Sequence, residues 1–235
     1  MLTEQDFKDG QILLIDKPLH WTSFQAVNKL RWLIKKTFKI KKIKVGHAGT
    51  LDPLATGLLI ICTGKFTKKI EELQGQVKEY TGTITLGATT PSYDLETEID
   101  QTFDTDHITE QAILNTTKQF IGEIEQYPPV FSALKKDGKR LYEYAREGKA
   151  VEIKPRTIEI KEFEITGIHF PDVEFRVVCS KGTYIRSLAH DFGRALDSGG
   201  HLTVLRRTKI GDYDVADGLS IETFENQLKE KVEVL

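Results

Sequence analysis

The segment Gly46-His47-Ala48-Gly49-Thr50-Leu51-Asp52-Pro53-Leu54-Ala55-Thr56-Gly57 constrains this chain more than any other. Its three glycines permit unusual dihedrals and close backbone approach, and Pro53 biases Asp52 away from helical geometry, so the stretch reads as an irregular loop. The apolar run Leu58 to Cys62 follows at once and reads as a central strand. A fold for this chain must therefore hold a non-helical loop, with one carboxylate projecting from it, against a buried strand.

The other elements are mixed. Gln11 to Ile15 reads as a short buried strand broken at Asp16-Lys17-Pro18. Thr22 and Gln25 fit a capping box that opens a helix with Val27, Leu30 and Ile34 on one face. From Tyr80 to Leu86 apolar positions alternate with Thr81, Thr83 and Thr85, the period of a half-buried strand. Pro91 to Asp106 is acidic and turn-rich and reads as the start of an exposed insertion reaching to about residue 130. Arg156 to Ile168 and Val173 to Cys179 read as an antiparallel pair joined at His169-Phe170-Pro171-Asp172. Thr183 to Leu196 is helical, with Ile185, Leu188, Ala189 and Phe192 as its apolar stripe. Leu202 to Ile210 is a further strand and Ile221 to Val232 a last helix. Without regular βαβ alternation, the economical fold class is α+β on a mixed, mostly antiparallel sheet, in one domain over residues 1–235.

No run reaches the apolar length of a membrane span, and the N-terminus MLTEQDFKDG is too polar for a signal peptide, so a cytoplasmic location is expected. Cys62 and Cys179 lie in apolar runs far apart, with no Cys or His at metal-ligand spacing, and read as buried structural thiols. The formal net charge of -2 hides an asymmetry. Residues 1–70 hold 13 Lys and Arg against 5 Asp and Glu, a balance of +8, whereas the rest holds 20 against 30, a balance of -10. Six lysines fall between Lys35 and Lys44, including Lys41, Lys42 and Lys44. Smaller basic groups follow at Lys65, Lys68 and Lys69, at Lys135, Lys136, Lys139 and Arg140, and at Arg206, Arg207 and Lys209. A single cluster is ordinarily a solvated face, but four point to phosphate contact with a nucleic acid.

No partner acid lies near Asp52 to make a glycosidase pair, and no cluster of carboxylates and histidines suggests a metal. Local sequence leaves two readings of Asp52: a turn residue bonded to its own backbone, or a lone nucleophile.

The run Gly-His-Ala-Gly-Thr-Leu-Asp-Pro-Leu-Ala-Thr-Gly-Leu-Leu resembles the catalytic motif of the bacterial TruB family, tRNA pseudouridine synthases that act on the T-loop uridine at tRNA position 55. The resemblance extends along most of the chain. It includes Asp16-Lys17-Pro18 with Thr22-Ser23, Tyr80 with Leu86-Gly87, Tyr127-Pro128-Pro129-Val130-Phe131-Ser132-Ala133-Leu134-Lys135 with Gly138, Arg140, Tyr142 and Ala145-Arg146, Cys179 to Arg186, and Leu205-Arg206-Arg207. It implies the pseudouridine synthase fold with an RNA-binding cleft across the sheet, a tRNA T-arm stem-loop as partner, and no cofactor or metal. It further implies that ionised Asp52 attacks the sugar or assists departure of the base, while Arg186 pairs with that aspartate. Tyr80 would stack on the target base and help move a sugar proton; Tyr184 and Leu205 would line the uracil pocket. His47 would fill the space vacated by a base extruded from its loop, and Lys17 would support the active-site loop or touch RNA. Lys41, Lys42, Lys44, Lys135, Arg140, Arg206 and Arg207 are the candidate RNA-backbone contacts.

Two departures accompany the match. Only 24 residues follow Gly211, so the C-terminal PUA domain of many relatives is not expected, and Leu95-Glu96-Thr97 stands where relatives usually carry a glycine. A monomer is expected. The competing readings are a non-catalytic tRNA chaperone and a guide-dependent rRNA synthase.

Overall fold

The computed structural model describes residues 2–132, 134–136, 138–147 and 151–233, so Ala133 of the third motif lies outside the described residues. In chain order the helices are α1 (Glu4–Asp9), α2 (Ser23–Thr37), α3 (Ile70–Gly75), α4 (Glu110–Thr116), α5 (Leu141–Arg146), α6 (Ile185–Ala195) and α7 (Ile221–Glu233). The longer strands and their short companions are β1 (Ile12–Lys17), β2 (Val45–His47), β3 (Ala55–Thr63), β4 (Lys78–Leu86), β5 (Ala88–Thr89), β6 (Gln101–Thr102), β7 (Gly122–Gln126), β8 (Lys135–Lys136), β9 (Lys139–Arg140), β10 (Arg156–His169), β11 (Asp172–Cys179), β12 (Gly200–Ile210) and β13 (Tyr213–Asp214). The chain divides into two compact units, Met1–Glu79 with Arg206–Leu235, and Tyr80–Leu205.

In the first unit β3 is the organising strand. It pairs antiparallel with β1, from Ile12 opposite Cys62 to Lys17 opposite Gly57, and with β2, from Val45 opposite Thr63 to His47 opposite Ile61. Because successive side chains point to opposite faces, the apolar run of β3 covers two clusters at once. Leu59 and Ile61 join Leu13, Ile15, the inner stripe of α2 (Ala26, Val27, Leu30, Ile34) and Phe224 of α7. Leu58, Ile60 and Cys62 meet Ala48, Leu73 and Ile210. Each fully buried Leu or Ile contributes about 1.5–3 kcal/mol, so the strand that follows the loop is its most firmly held neighbour. Ala48 is part of the second cluster, which fastens the loop itself to that strand.

The capping box read from Thr22 and Gln25 is present in both directions and sets the start of α2. Residues Gly46–His47 and Ala55–Gly57, read as loop from composition, are the ends of β2 and β3, which leaves the irregular stretch as Ala48 to Leu54. Gly57 explains why a strand here reads as a turn. It has φ +103°, and a Cβ would sit 2.2 Å from the carbonyl oxygen of Arg207, so only glycine lets β12 approach.

In the second unit the strand order is β12, β4, β11, β10, β7, with Gly200–Leu205 of β12 belonging to this unit. β10 and β11 form the expected antiparallel pair, interrupted by irregular register between Ile160 and Glu162 and between Ile165 and Gly167. Its core is aromatic: Phe163 packs on Phe120, Phe175 and Phe192 at ring separations of 6.1, 6.0 and 5.4 Å. Ile185, Leu188, Ala189 and Phe192 form the buried stripe of α6, as their spacing predicts.

The stretch from Pro91 to about residue 130, expected as an exposed insertion, is exposed over most of its length and carries buried positions within it. Leu95 and Ile99 are exposed, but Ser92, Asp94, Ile113, Phe120 and Gln126 are buried. Turn-rich, acidic composition marks a loop, but it does not reveal that the loop's own carbonyls and carboxylate serve as acceptors for a buried cation. Cys62 and Cys179 are both buried free thiols.

Candidate active site

Asp52 sits half-buried at the tip of Ala48–Leu54, and several backbone groups of that loop are hydrogen-bonded. Ala48 N donates to Ile60 O at 2.9 Å, and Ala55 N donates to Asp52 O at 3.1 Å. Ser23, at the first turn of α2 and buried, bonds Leu51 twice: its Oγ donates to Leu51 O at 3.0 Å and accepts from Leu51 N at 2.8 Å. Pro53 O accepts from His20 N at 2.8 Å.

Beneath the loop lies Arg207, 1% exposed. Its Nε donates to Leu58 O at 2.8 Å, Nη2 to Gly49 O at 3.1 Å and Nη1 to Thr50 O at 3.4 Å. The planar fork thus ties the loop to β3, a task a lysine's point charge does not match. This corrects the expectation that Arg207 contacts RNA backbone: a cation this enclosed, with its donors spent on carbonyls, is part of the scaffold.

Lys17 is the second buried cation, 0% exposed. Its ammonium donates to Trp21 O at 2.7 Å and Pro18 O at 3.0 Å. Burial pulls its pKa down to about 8; attraction to Asp52 acts the other way, and repulsion from Arg207 reinforces the drop. Lys17 thus braces the Pro18–Trp21 turn, which meets the Asp52 loop through the bond from His20 N to Pro53 O, and at 0% exposure it has no surface of its own for RNA. His47, half-buried at the end of β2, has its pKa lowered chiefly by burial, with Arg207 lowering it further and the Gly49 backbone partly offsetting the effect. Among the described residues its enclosed Nδ1 has no hydrogen-bond partner of good geometry. Lys17, His47 and Asp52 are thus gathered in one unit around Arg207.

The second unit holds the other candidates. Arg186, in the first turn of α6, is buried with Nη2 donating to Phe131 O at 2.9 Å, Nη1 to Ser92 O at 3.3 Å, and Nε 3.6 Å from Asp94 Oδ2. Tyr184 is the N-cap of the same helix; its backbone N–H donates to Gln126 Oε1 at 2.8 Å and its carbonyl accepts from Gln126 Nε2 at 3.0 Å. The guanidinium of Arg156 lies 5.7 Å over the Tyr184 ring. Tyr80 is buried on β4, and Leu205 is half-buried on β12.

Of the basic candidates, Lys41, Lys42, Lys44 and Arg140 are exposed. Arg206 is matched by Asp16, to which it donates twice, at 3.0 and 2.7 Å. The side chain of Lys135 lies outside the described residues. Sequence reasoning missed Ser23 and Asp94 as site-building residues. Ser23 adjoins a capping box and looks like ordinary helix-start chemistry, and Asp94 looks like one more acid in an acidic loop.

Among the described residues no group of three His, Cys, Asp or Glu is disposed to hold a metal ion, and no helix is long and apolar enough to cross a membrane. What the arrangement offers is a carboxylate on a rigid loop beside buried cations, and a separate unit with an arginine, tyrosines and apolar strand residues.

Residues 35–185 match the family model described as TruB family pseudouridylate synthase (N terminal domain), and residues 186–234 match that of the tRNA pseudouridylate synthase B C-terminal domain. Fold and motif define an RNA pseudouridylate synthase, and the chain belongs to the TruB family. It is 69% identical to a tRNA pseudouridine synthase B of Flavobacterium johnsoniae over 97% of this chain and 100% of the relative. It is 58% identical to that of Phocaeicola vulgatus over 96% of each. Among solved structures it resembles a chain of a Cbf5-Nop10-Gar1 complex, with 30% identity and a TM-score of 0.70 over 95% of this chain. That match takes in 55% of the solved chain, so this chain spans about half its length.

Proposed function

We propose that this chain isomerises the T-loop uridine at position 55 of tRNA to pseudouridine, with Asp52 as the carboxylate that acts on the ribose. The reaction breaks the N1 bond to the sugar, turns the uracil and rejoins it through C5. No atom is gained or lost, so no redox partner is consumed, and the family resemblance implies that no metal takes part. The observation that carries the reading is the Ala48–Leu54 loop: the backbone that presents its one carboxylate is held by Ser23, Arg207 and β3, the preorganisation a lone nucleophile requires. Full-length similarity to proteins named tRNA pseudouridine synthase B supports the substrate.

The remaining roles follow the family. Arg186 takes the place of the family arginine that orients the catalytic aspartate by charge-assisted hydrogen bonding. Tyr80 stacks on the target base, and its hydroxyl helps move a sugar proton. Tyr184 and Leu205 line the uracil pocket. His47, kept neutral by burial, fills the place the extruded base leaves; extrusion costs a few kcal/mol, which pocket contacts offset. Lys41, Lys42, Lys44, Lys135, Arg140 and Arg206 meet phosphates. The enzyme works as a cytoplasmic monomer.

The test is a T-arm hairpin carrying tritium at C5 of uridine, with no guide RNA added. The parent protein is expected to release tritium from the T-loop uridine, and Asp52→Asn to bind the hairpin and release none. Turnover by Asp52→Asn at the parental rate removes the nucleophile. Binding without turnover by the parent favours the chaperone reading, and turnover only with a guide favours the guide-dependent one.

A further inference from the structure

We propose that the outer face of α2 is a second RNA contact, in which Trp32 stacks on an unpaired nucleotide of the bound RNA and Arg31, Lys35 and Lys36 take its phosphates. The inference rests on the proposed function only in taking RNA as the ligand.

Asp16 and Asp52 bracket a stretch with no acidic residue and nine Lys or Arg. Lys17 is buried and Lys29 is paired with Glu225 at 2.7 Å, which leaves seven cations from Arg31 to Lys44, and a run of one sign this dense selects a polyanion. Within it Trp32 is 50% exposed, a large apolar surface that nothing in the first unit's core requires to be outside. The ammonium groups of Lys36 and Lys29 lie 4.7 and 5.1 Å from its ring centroid, so the indole is already used as a π-face for cations. Helical spacing places Asn28, Trp32 and Lys36 in one row and Arg31 and Lys35 in the next. Together with Ile40 they line a concavity of about 340 Å³.

Arg31 is set in place rather than floating. Its Nη1 donates to Asn28 Oδ1 at 2.7 Å and its Nη2 to Val45 O at 2.8 Å. A guanidinium fixed by two of its five donors presents the others in a defined direction, which suits a phosphate better than a loose surface arginine does. An exposed aromatic ring beside fixed and mobile cations is the combination that grips single-stranded nucleic acid. Duplex RNA hides its base faces and gains nothing from the indole, so the occupant is an unpaired nucleotide. On entry its base replaces the Lys36 ammonium over the ring, and that ammonium moves to the neighbouring phosphate.

The test measures affinity for an unmodified tRNA transcript and for a blunt RNA duplex of similar length, across a range of KCl concentrations. Trp32→Ala is expected to weaken tRNA binding by about tenfold, the range of one lost base stack, and to leave duplex binding unchanged. Trp32→Phe should recover most of the loss and Trp32→Leu should not, because only the former restores a π-face. Replacing Lys35 and Lys36 together by Ala should reduce the slope of log K against log salt by about 1.4, or 0.7 per single-strand phosphate contact. The proposal is overturned if Trp32→Ala binds tRNA within twofold of the parent, if Leu serves as well as Phe, or if the slope is unchanged. Failure of the proposed function has a different signature: no tritium release by the parent, with the dependence on Trp32 intact.

Discussion

The hydroxyl of Ser23 and the peptide of Leu51, 28 positions apart, hydrogen-bond each other twice, at 2.8 and 3.0 Å. One short side chain therefore does for the loop what a neighbouring strand does for a ladder, and it does so on the residue before Asp52. Ser23→Ala leaves a buried N–H and C=O without that partner. The expected cost is about 1–3 kcal/mol in urea unfolding. Loss of alignment should lower kcat more than it raises KM. A variant with parental kcat would show that the clasp serves folding alone.

Arg207 separates scaffold from RNA contact. Removing it strips donors from the carbonyls of Gly49, Thr50 and Leu58 together, so Arg207→Met should lose about 3 kcal/mol of stability. Arg207→Lys should be rescued only in part, because an ammonium lacks the planar fork. Neither variant should change the salt dependence of tRNA affinity. A stable Arg207→Met protein whose log K against log salt slope has dropped by about 1 would return this residue to the phosphate contacts.

These two residues also show what the sequence reveals and what it withholds. Local rules recovered the frame: the capping box at Thr22, the strand at Leu58 to Cys62, the β10–β11 pair and the stripe of α6 all have the periodicity or turn chemistry that produced them. The candidate residues were legible through a family motif, with Asp52 at its centre. Hidden were contacts that join distant segments. Arg207 sits in an Arg-Arg pair, and in sequence the two cannot be told apart, yet one spans to a half-buried carboxylate and the other is entombed beneath the loop. Ser92 and Asp94 looked like solvated turn because nothing local indicates that Arg186, more than ninety positions away, needs acceptors there.

Lys17 makes stability depend on pH in the alkaline range. Its folded pKa of about 8 lies below the ordinary 10.5, so between those values the unfolded chain binds more protons than the folded one. Stability contributed by this site therefore rises with pH across that window, by at most about 1.4 kcal/mol per unit. The check is the unfolding free energy of the parent minus that of Lys17→Met, measured from pH 7 to 10. The difference should climb above pH 8, as the parent sheds the cost of a buried charge that the variant never carries. A flat difference would mean that Lys17 keeps an ordinary pKa.

The ring of Tyr93 is stacked on that of His190, with centroids 4.0 Å apart and planes 16° from parallel. Tyr93 holds a left-handed backbone, φ 62°, between the two residues that Arg186 engages, Ser92 and Asp94. Arg186 and His190 are one helical turn apart on α6, so a single helix face grips this corner with a guanidinium at one point and an imidazole at the next. Burial lowers the pKa of His190, which makes the stacked ring neutral at physiological pH and the contact one of shape rather than charge. His190→Ala should free Tyr93 to leave its strained conformation, let the acceptors of Arg186 drift, and lower single-turnover rate about tenfold with little change in tRNA affinity. His190→Phe keeps a flat ring in the same place and should restore most of the rate. If Phe and Ala were equally slow, the imidazole itself would be required and the stacking account would be lost; if both were as fast as the parent, the Tyr93 corner would not govern Arg186 at all.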